Sequence, residues 1–448
     1  RPDAELSDLV NELAAEESRL DALSEEDELS DLRAVMATSY QALDTATARF
    51  FRLLGAHPGP DFSVLAAAAL TDTTPAEAGR MLDRLVRANL VERPRTTRYR
   101  LHDLVRLYAV ERVRLQDGQE ATAKAVGRAA RWYTHAAARA QLTEHPHFPV
   151  VPGTEPPEGL PEFASLEEAL TWFEAERANL LAVTAAALDH GHHDTAWRLP
   201  ATVYPLFELH RHWHQWRDLH SLGLRAAENA ANPWGLARNH LGMGDAQWLL
   251  GDLDAAVRHY ESALTVLGDI TDPWVEGFAS RQLGVVLWQR GERDDTTIEH
   301  VERAIALFQG SGERRGEAMG SLSLADFHAD LGRWEKALDH CRAAIDVFTD
   351  IGAKWSVAWA GCTLGRVLTG MNRAAEAVPV YRSAIETFTE HQDTDSHSVA
   401  LLGLGEAHAA LGDVAKARQA WNAALDRLRD HGDPRVARVE ERLSTLGS

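Results

Sequence analysis

One phrase recurs five times in the C-terminal half of this 448-residue chain. It reads Met243-Gly244, then Gly251, Ala256 and Ala263. It returns as Leu283-Gly284 with Gly291; as Leu324-Ala325 with Gly332, Ala337 and Ala344; as Leu364-Gly365 with Asn372, Ala377 and Ala384; and as Leu404-Gly405 with Gly412, Ala417 and Ala424. The turn positions 251, 291, 332, 372 and 412 are 40, 41, 40 and 40 residues apart. A fixed period of this size marks a stacked-repeat solenoid, in which each unit buries its apolar face against its neighbours. The usual work of such a surface is to hold a partner.

Within a unit, two apolar stretches at helical spacing flank a short turn. Leu324, Phe327 and Leu331 share one helical face; after Gly332-Arg333, residues Ala337, Leu338, Cys341 and Ile345 line another. Gly, or Asn at 372, supplies the left-handed residue that ends the first helix. Small residues at 244, 284, 325, 365 and 405 let paired helices approach closely. The hydrophobic-small pair, the glycine eight residues later, and the alanines 5 and 12 beyond it resemble the tetratricopeptide repeat. That family's unit is about 34 residues, so the surplus is expected in the second helix and its exit loop. The second unit departs from the pattern: Thr296-Thr297 follow Gly291, and one extra residue precedes Ala304. Forty residues before Gly251 lies Arg211, flanked by the helix-like stretches Trp197–His210 and Trp213–Glu228, a degenerate sixth pair. Ser165-Leu166-Glu167-Glu168 resembles a capping box opening a helix that runs to Gly191.

At this length more than one domain is expected. An apolar content of 45% and a charged content of 25% fit an ordinary globular protein. No run approaches a membrane helix, and no signal peptide is visible. The two cysteines, Cys341 and Cys362, fall where the repeat wants small buried residues. A reducing cytoplasm is therefore expected. Arg1 is not a translation start, so the chain is read as a fragment. The net charge of −21 argues against general nucleic-acid binding. It is unevenly spread. Residues 1–31 hold twelve acids against Arg1 and Arg19, whereas residues 80–114 hold ten arginines against four acids.

Residues 36–110 have another plan. A helix carrying Ala48, Phe51, Leu53 and Leu54 stops at Gly55-Ala56-His57-Pro58-Gly59-Pro60. A second runs from Phe62 to Leu70, and a third opens with the capping box Thr74-Pro75-Ala76-Glu77. Two strand-like runs, Leu90–Arg93 and Arg98–Leu101, are joined by a turn at Pro94–Thr97. Three helices and a hairpin make a winged helix.

The segment Tyr99-Arg100-Leu101-His102-Asp103 resembles the winged-helix end of the NB-ARC module in STAND nucleotide switches, whose Met-His-Asp motif matches Leu101-His102-Asp103. With Tyr40-Gln41-Ala42-Leu43, Phe50-Phe51-Arg52-Leu53-Leu54-Gly55 and Trp172-Phe173-Glu174-Ala175-Glu176-Arg177-Ala178-Asn179-Leu180, the whole chain resembles the AfsR-like regulators of actinobacteria. The resemblance implies that His102 contacts the β-phosphate of ADP in the intact protein and that Asp103 organises the loop. It implies upstream NB-ARC and DNA-binding domains, and ADP or ATP as their cofactor. The chain itself has no Gly-x-x-x-x-Gly-Lys-Ser/Thr loop, so no cofactor and no ATPase activity are expected of it. Read locally, His102 is a solvent-facing residue and Asp103 merely starts a helix.

Arg80, Arg84 and Arg87 share a face of the third helix, the one that enters the major groove in DNA-binding relatives. Arg93, Arg95, Arg98 and Arg100 would decorate the wing. Docking of this face against the acidic N-terminal helices or the nucleotide domain is preferred to direct DNA binding. His210, His212 and His214 lack the converging ligands and second shell of a zinc site. No catalytic constellation stands out. By the repeat's usual geometry, a partner-binding groove takes residues from each first helix: Arg238, Asp245, Trp248, Phe278, Arg281, Trp288, Asp326, Asp330, Trp359, Arg366 and Glu406. Tryptophan mixed with charge suits capture of a protein or peptide.

The expected fold is mainly α, a winged-helix domain followed by an α-α superhelix. The expected parts are an acidic NB-ARC remnant (1–35), a winged helix (36–118), a connecting helix (119–144), a linker with six prolines (145–164), degenerate repeats (165–232), five tetratricopeptide-like repeats (233–430) and a capping helix (431–448). The function read from this is that of the sensing half of a STAND-type transcriptional regulator. The alternatives are a DNA-binding winged-helix regulator and the sensor arm of a defence-type STAND protein.

Overall fold

A computed structural model describes residues 27–144, 155–210, 212–268, 270–391, 393–430 and 435–445, with Val151 and Gly153. Most of the acidic N-terminal stretch, residues 145–150 of the linker, Arg211, and both ends of the expected capping segment lie outside the described residues. The chain divides into two compact units, Arg1–Asp252 and Leu253–Ser448.

The first unit contains α1 (Asp27–Gln41), α2 (Thr45–Leu54), α3 (Val64–Thr71), α4 (Pro75–Arg87), the strands β1 (Glu92–Arg95) and β2 (Arg98–Arg100), α5 (Asp103–Gln116), α6 (Gly118–Glu144), α7 (Leu166–Asp189), α8 (His193–His210), α9 (Trp213–Asn229) and α10 (Pro233–Leu249). Short helices here are stopped and started by side chains. Asp44 accepts from Thr47 N at the head of α2, Ser63 from Ala66 N at the head of α3, and Thr74 and Glu77 form the expected capping box. The strands are displaced from the stretches read in the sequence: Glu92 pairs with Arg100 and Arg95 with Arg98, leaving Thr96-Thr97 at the tip. The reason is that Leu90 and Val91 are buried in the helical core, so the chain is still leaving α4 there. Pro94 is accommodated because, among the described residues, β1 has β2 as its only strand neighbour. On its other side β2 meets Phe62, whose backbone exchanges bonds of 2.8 and 2.9 Å with Tyr99.

The 27-residue α6 is the spine of this unit. Trp132, Tyr133, Ala136, Ala137 and Ala140 are all buried. The described part of the proline-rich segment, from Glu155 to Ala164, has neither helix nor strand, but it is pinned along α6. Arg131 donates to Glu155 O (2.6 Å), Trp132 to Gly159 O (3.0 Å) and Arg139 to Pro161 O (3.3 Å).

The second unit is a run of antiparallel neighbours: α11 (Leu253–Leu267), α12 (Pro273–Arg290), α13 (Asp295–Ser311), α14 (Arg314–Asp330), α15 (Trp334–Asp350), α16 (Lys354–Gly370), α17 (Ala374–Glu390), α18 (Thr394–Ala410), α19 (Val414–Asp430) and α20 (Arg435–Thr445). From α14 to α19 every helix has 17 residues. Three residues connect each to the next. Two such helices and two such connections account for the period of forty. The surplus over the family unit is thus shared by both helices, not placed in the second helix and its exit loop. It is shared because helices that pack side by side bury most when their lengths match. The second unit's irregularity stays local: Asp294 caps α13 through Thr297, and Ala304 is fully buried.

The turns close as the glycines require. Gly332 has φ +69°, and Arg333 N reaches back to His328 O (2.8 Å) while Gly332 N reaches Ala329 O (3.0 Å), a Schellman closure. Asn372 adopts the same left-handed conformation at φ +58°.

Size complementarity locks each pair. A Cβ on Gly365 would meet the Tyr381 ring at 2.5 Å, and one on Gly405 the Trp421 indole at 2.2 Å. Both aromatic residues stand nine places after the turn; the third unit has Cys341 at that place and Ala325 at the small position. Gly365→Ala should therefore cost about 1–3 kcal/mol by overpacking, where an exposed helix would gain about 1 kcal/mol. Adding Tyr381→Cys should recover part of the loss, a coupling readable by a denaturant double-mutant cycle.

Candidate functional site

The residues expected to line a groove divide between the two units. In the first, Arg238 and Asp245 on α10 are buried and Trp248 is half-buried; the Arg238 guanidinium lies over the Trp234 ring at 5.1 Å. In the second, Phe278 is a core residue, not a groove one. It is buried between Trp274 (4.7 Å) and Phe308 (4.9 Å). Trp288 is likewise packed, lying flat on Phe327 with centroids 4.1 Å apart. Interiors pack at crystal-like density, so these large rings fill the space between neighbouring helices of the second unit. Arg281 is half-buried and donates to Gln282 (2.6 Å).

Four expected residues are brought together around Asp330. Its carboxylate accepts from Trp288 Nε1 (3.0 Å) and from Arg366 Nη1 (2.9 Å), with Arg293 at 3.8 Å. Arg366 also donates to Asp326 (2.6 Å), and Arg293 lies over the Trp288 ring at 5.6 Å. Residues from three successive units thus share one carboxylate. Crowding by the neighbouring first helices raises the Asp326 pKa above its ordinary value against the pull of Arg366, although the side chain is 45% exposed. Glu406 is paired in the same manner with Arg442, 36 residues ahead, the spacing that separates Asp330 from Arg366. These charges staple neighbouring repeats to each other. Trp359 is different. It is 36% exposed and stacks on Trp355 at 5.7 Å, one turn earlier on the same helix. Among the described residues it is the exposed aromatic of this face. Cys341 and Cys362 are inert thiols, each pushed by burial to a pKa of about 12.

His102 and Asp103 are exposed at the head of α5. The side chain of His102 makes no capping bond. Arg80, Arg84, Arg87 and Arg95 are also exposed, and Arg84 pairs with Asp44 at 2.7 Å. Arg98 does not decorate the wing. It is 7% exposed and its guanidinium turns inward to Glu176 and Asp61.

That inward turn reveals a cluster the sequence reading missed. Glu176, in the middle of α7, is 1% exposed. Besides Arg98 it accepts from Tyr133 OH (2.9 Å) and Asn179 Nδ2 (2.5 Å). Gly59 abuts Asn179 so closely that a Cβ would lie 1.8 Å from Oδ1. Gly59 N donates to His57 Nδ1 (3.2 Å), which leaves the proton on Nε2, aimed at Tyr133 OH 3.4 Å away. Arg106 clamps the same loop through His57 O (2.5 Å) and Gly59 O (2.7 Å). One signal was present: Glu176 falls on the same helical face as Phe173, Leu180 and Val183, which are apolar and buried.

Residues 316–390 and 362–438 match tetratricopeptide-repeat profiles. Over 337 residues the chain is 32% identical to the regulatory protein AfsR of Streptomyces griseus, covering 74% of this chain and 34% of that protein. It is 31% identical over 341 residues to the regulatory protein AfsR of Streptomyces coelicolor, with the same coverage. This chain is a homologue of the AfsR regulators. It spans about a third of the length of these AfsR relatives. Solved structures are more distant. A Signal Transduction ATPase with Numerous Domains protein with a tetratricopeptide-repeat sensor, from Pyrococcus horikoshii, gives a TM-score of 0.43 at 14% identity, covering 91% of this chain and 66% of that one. A Rap protein complexed with competence and sporulation factor gives 0.43 at 15%, covering 61% and 87%. Among the described residues of the AfsR-like chain, no helix is long and apolar enough to cross a membrane.

Two expectations follow. Asp330→Ala strands Trp288 Nε1 and takes from Arg366 one of its two acids, and should destabilise the second unit by about 1–3 kcal/mol. Arg366→Ala should add less to it than it costs alone, as a urea double-mutant cycle would show. His57 is held at a pKa of about 3, by burial first and then by Arg106. Its unfolded value lies near 6.5, so its neutral form supports the fold fully above that pH. That support is lost as pH falls from about 6.5 towards 3, at a slope of up to roughly 1.4 kcal/mol per pH unit. His57→Gln should flatten this part of a stability-pH curve.

Proposed function

We propose that the chain is the signal-sensing and autoregulatory C-terminal half of a STAND-type transcriptional regulator of secondary metabolism. The observation that carries this reading is the AfsR homology, which extends over three quarters of the chain. The plan of the first unit supports it. Three short helices and a hairpin at residues 45–100 are read as a winged helix, and Leu101-His102-Asp103 lies where they end. His102 is exposed and uncommitted to its helix, as a residue that reaches a nucleotide on a neighbouring module should be. In this reading ADP or ATP is held by an NB-ARC module of a longer cytoplasmic protein. A protein or peptide partner seats on the first-helix face of the repeats, with Trp359 as its aromatic anchor. Binding shifts the winged helix, loosens the nucleotide and frees a DNA-binding effector.

The test uses both forms of the protein. The purified chain should release no phosphate from Mg-ATP. In the longer protein, His102→Ala should speed ADP release at least several-fold, and Trp359→Ala should leave ADP release unchanged while weakening partner binding about tenfold or more. Phosphate release by the chain alone would sink the reading, as would ADP retention indifferent to His102.

A further inference from the structure

A relay of this kind needs a joint between the hairpin and the helices that follow it, and β2 is built for one. Successive residues of a strand face opposite ways. Tyr99 turns towards the helical core and stacks on Phe62 at 6.5 Å, while Arg98 turns to α7. There it meets Glu176, 78 residues away. Tyr133 and Asn179, both fully buried, complete the carboxylate's shell, and Asp61 takes the second arm of the guanidinium.

An apolar pair of the same volume would hold these elements as firmly or more so, because two charges must be stripped of water to make this contact. What an ion pair adds is an all-or-none character: either both charges are matched in one register, or one is left stranded. We infer that Arg98 and Glu176 form a detachable joint, through which the hairpin docks on and releases from α7 as a body. The inference deepens the relay reading and rests on it for its purpose.

The test is hydrogen exchange read by mass spectrometry on the whole chain, with no partner or nucleotide added. Glu176→Gln and Arg98→Gln should each raise exchange at least tenfold in residues 92–100 and in residues 166–177 together. The double variant should exceed neither. Residues 314–430 should keep their wild-type rates, and Arg98→Lys, which keeps the charge but loses the fork, should show a smaller rise in the same segments. Wild-type protection in Glu176→Gln, strictly additive effects, or a rise spread evenly over the first unit would overturn the joint. If Glu176→Gln does not fold, Asp61→Asn serves in its place, since its side chain is partly exposed. It should give a smaller rise confined to the same two segments, and a rise elsewhere or none would count against the joint. These outcomes do not depend on the nucleotide test. A chain that hydrolyses ATP could still have the joint, and a sensor with no such joint could still obey His102.

Discussion

A carboxylate almost completely cut off from water is tolerable only when its charge is matched and its lone pairs are used. Glu176 meets that demand by collecting partners from four places: the hairpin, α6, its own helix and, through Arg98, the loop before α3. Each partner is in turn fixed. Tyr133 is placed by the 27-residue α6, and Asn179 by the bare backbone of Gly59. Arg106 holds the Gly59 loop from α5. The first unit is therefore organised around a point of polar contact as much as around an apolar core.

The second unit is organised differently. Its order is local and repetitive. Helix lengths match from α14 to α19, and left-handed turn residues such as Gly332, Asn372 and Gly412 recur. Small-against-large contacts lock the pairs at Gly365 and Gly405, and charged first-helix residues pair from one repeat to the next. Little in it depends on any single residue far away in sequence, as expected of a quasi-one-dimensional architecture.

This contrast explains what could be read from the sequence. The capping box at Thr74 and the turn residues Gly332 and Asn372 act over three to six residues, and all were legible. The helix pairs were legible because they recur in register. Arg98 was misread because its partner lies 78 residues further on; locally it is one arginine among ten. The strand limits slipped because Leu90 and Val91 look like strand residues but are claimed by the core. In the groove, the positions were read from periodicity, which fixes a helical face but not its depth. Phe278 and Trp288 were drawn into packing, and Asp326, Asp330 and Arg366 chose each other as partners.

The equal division of the period into 17 and three has a consequence for how such a chain can change over time. A cassette of forty residues can be gained or lost with no frame to repair, because the helix that follows finds the same small residue, turn and neighbour. The staples obey the same rule. An arginine that reaches back 36 residues, as Arg366 and Arg442 do, meets an acid in whichever copy precedes it, provided that copy carries one. Surface length is thus set by copy number, independently of the chemistry on any one unit.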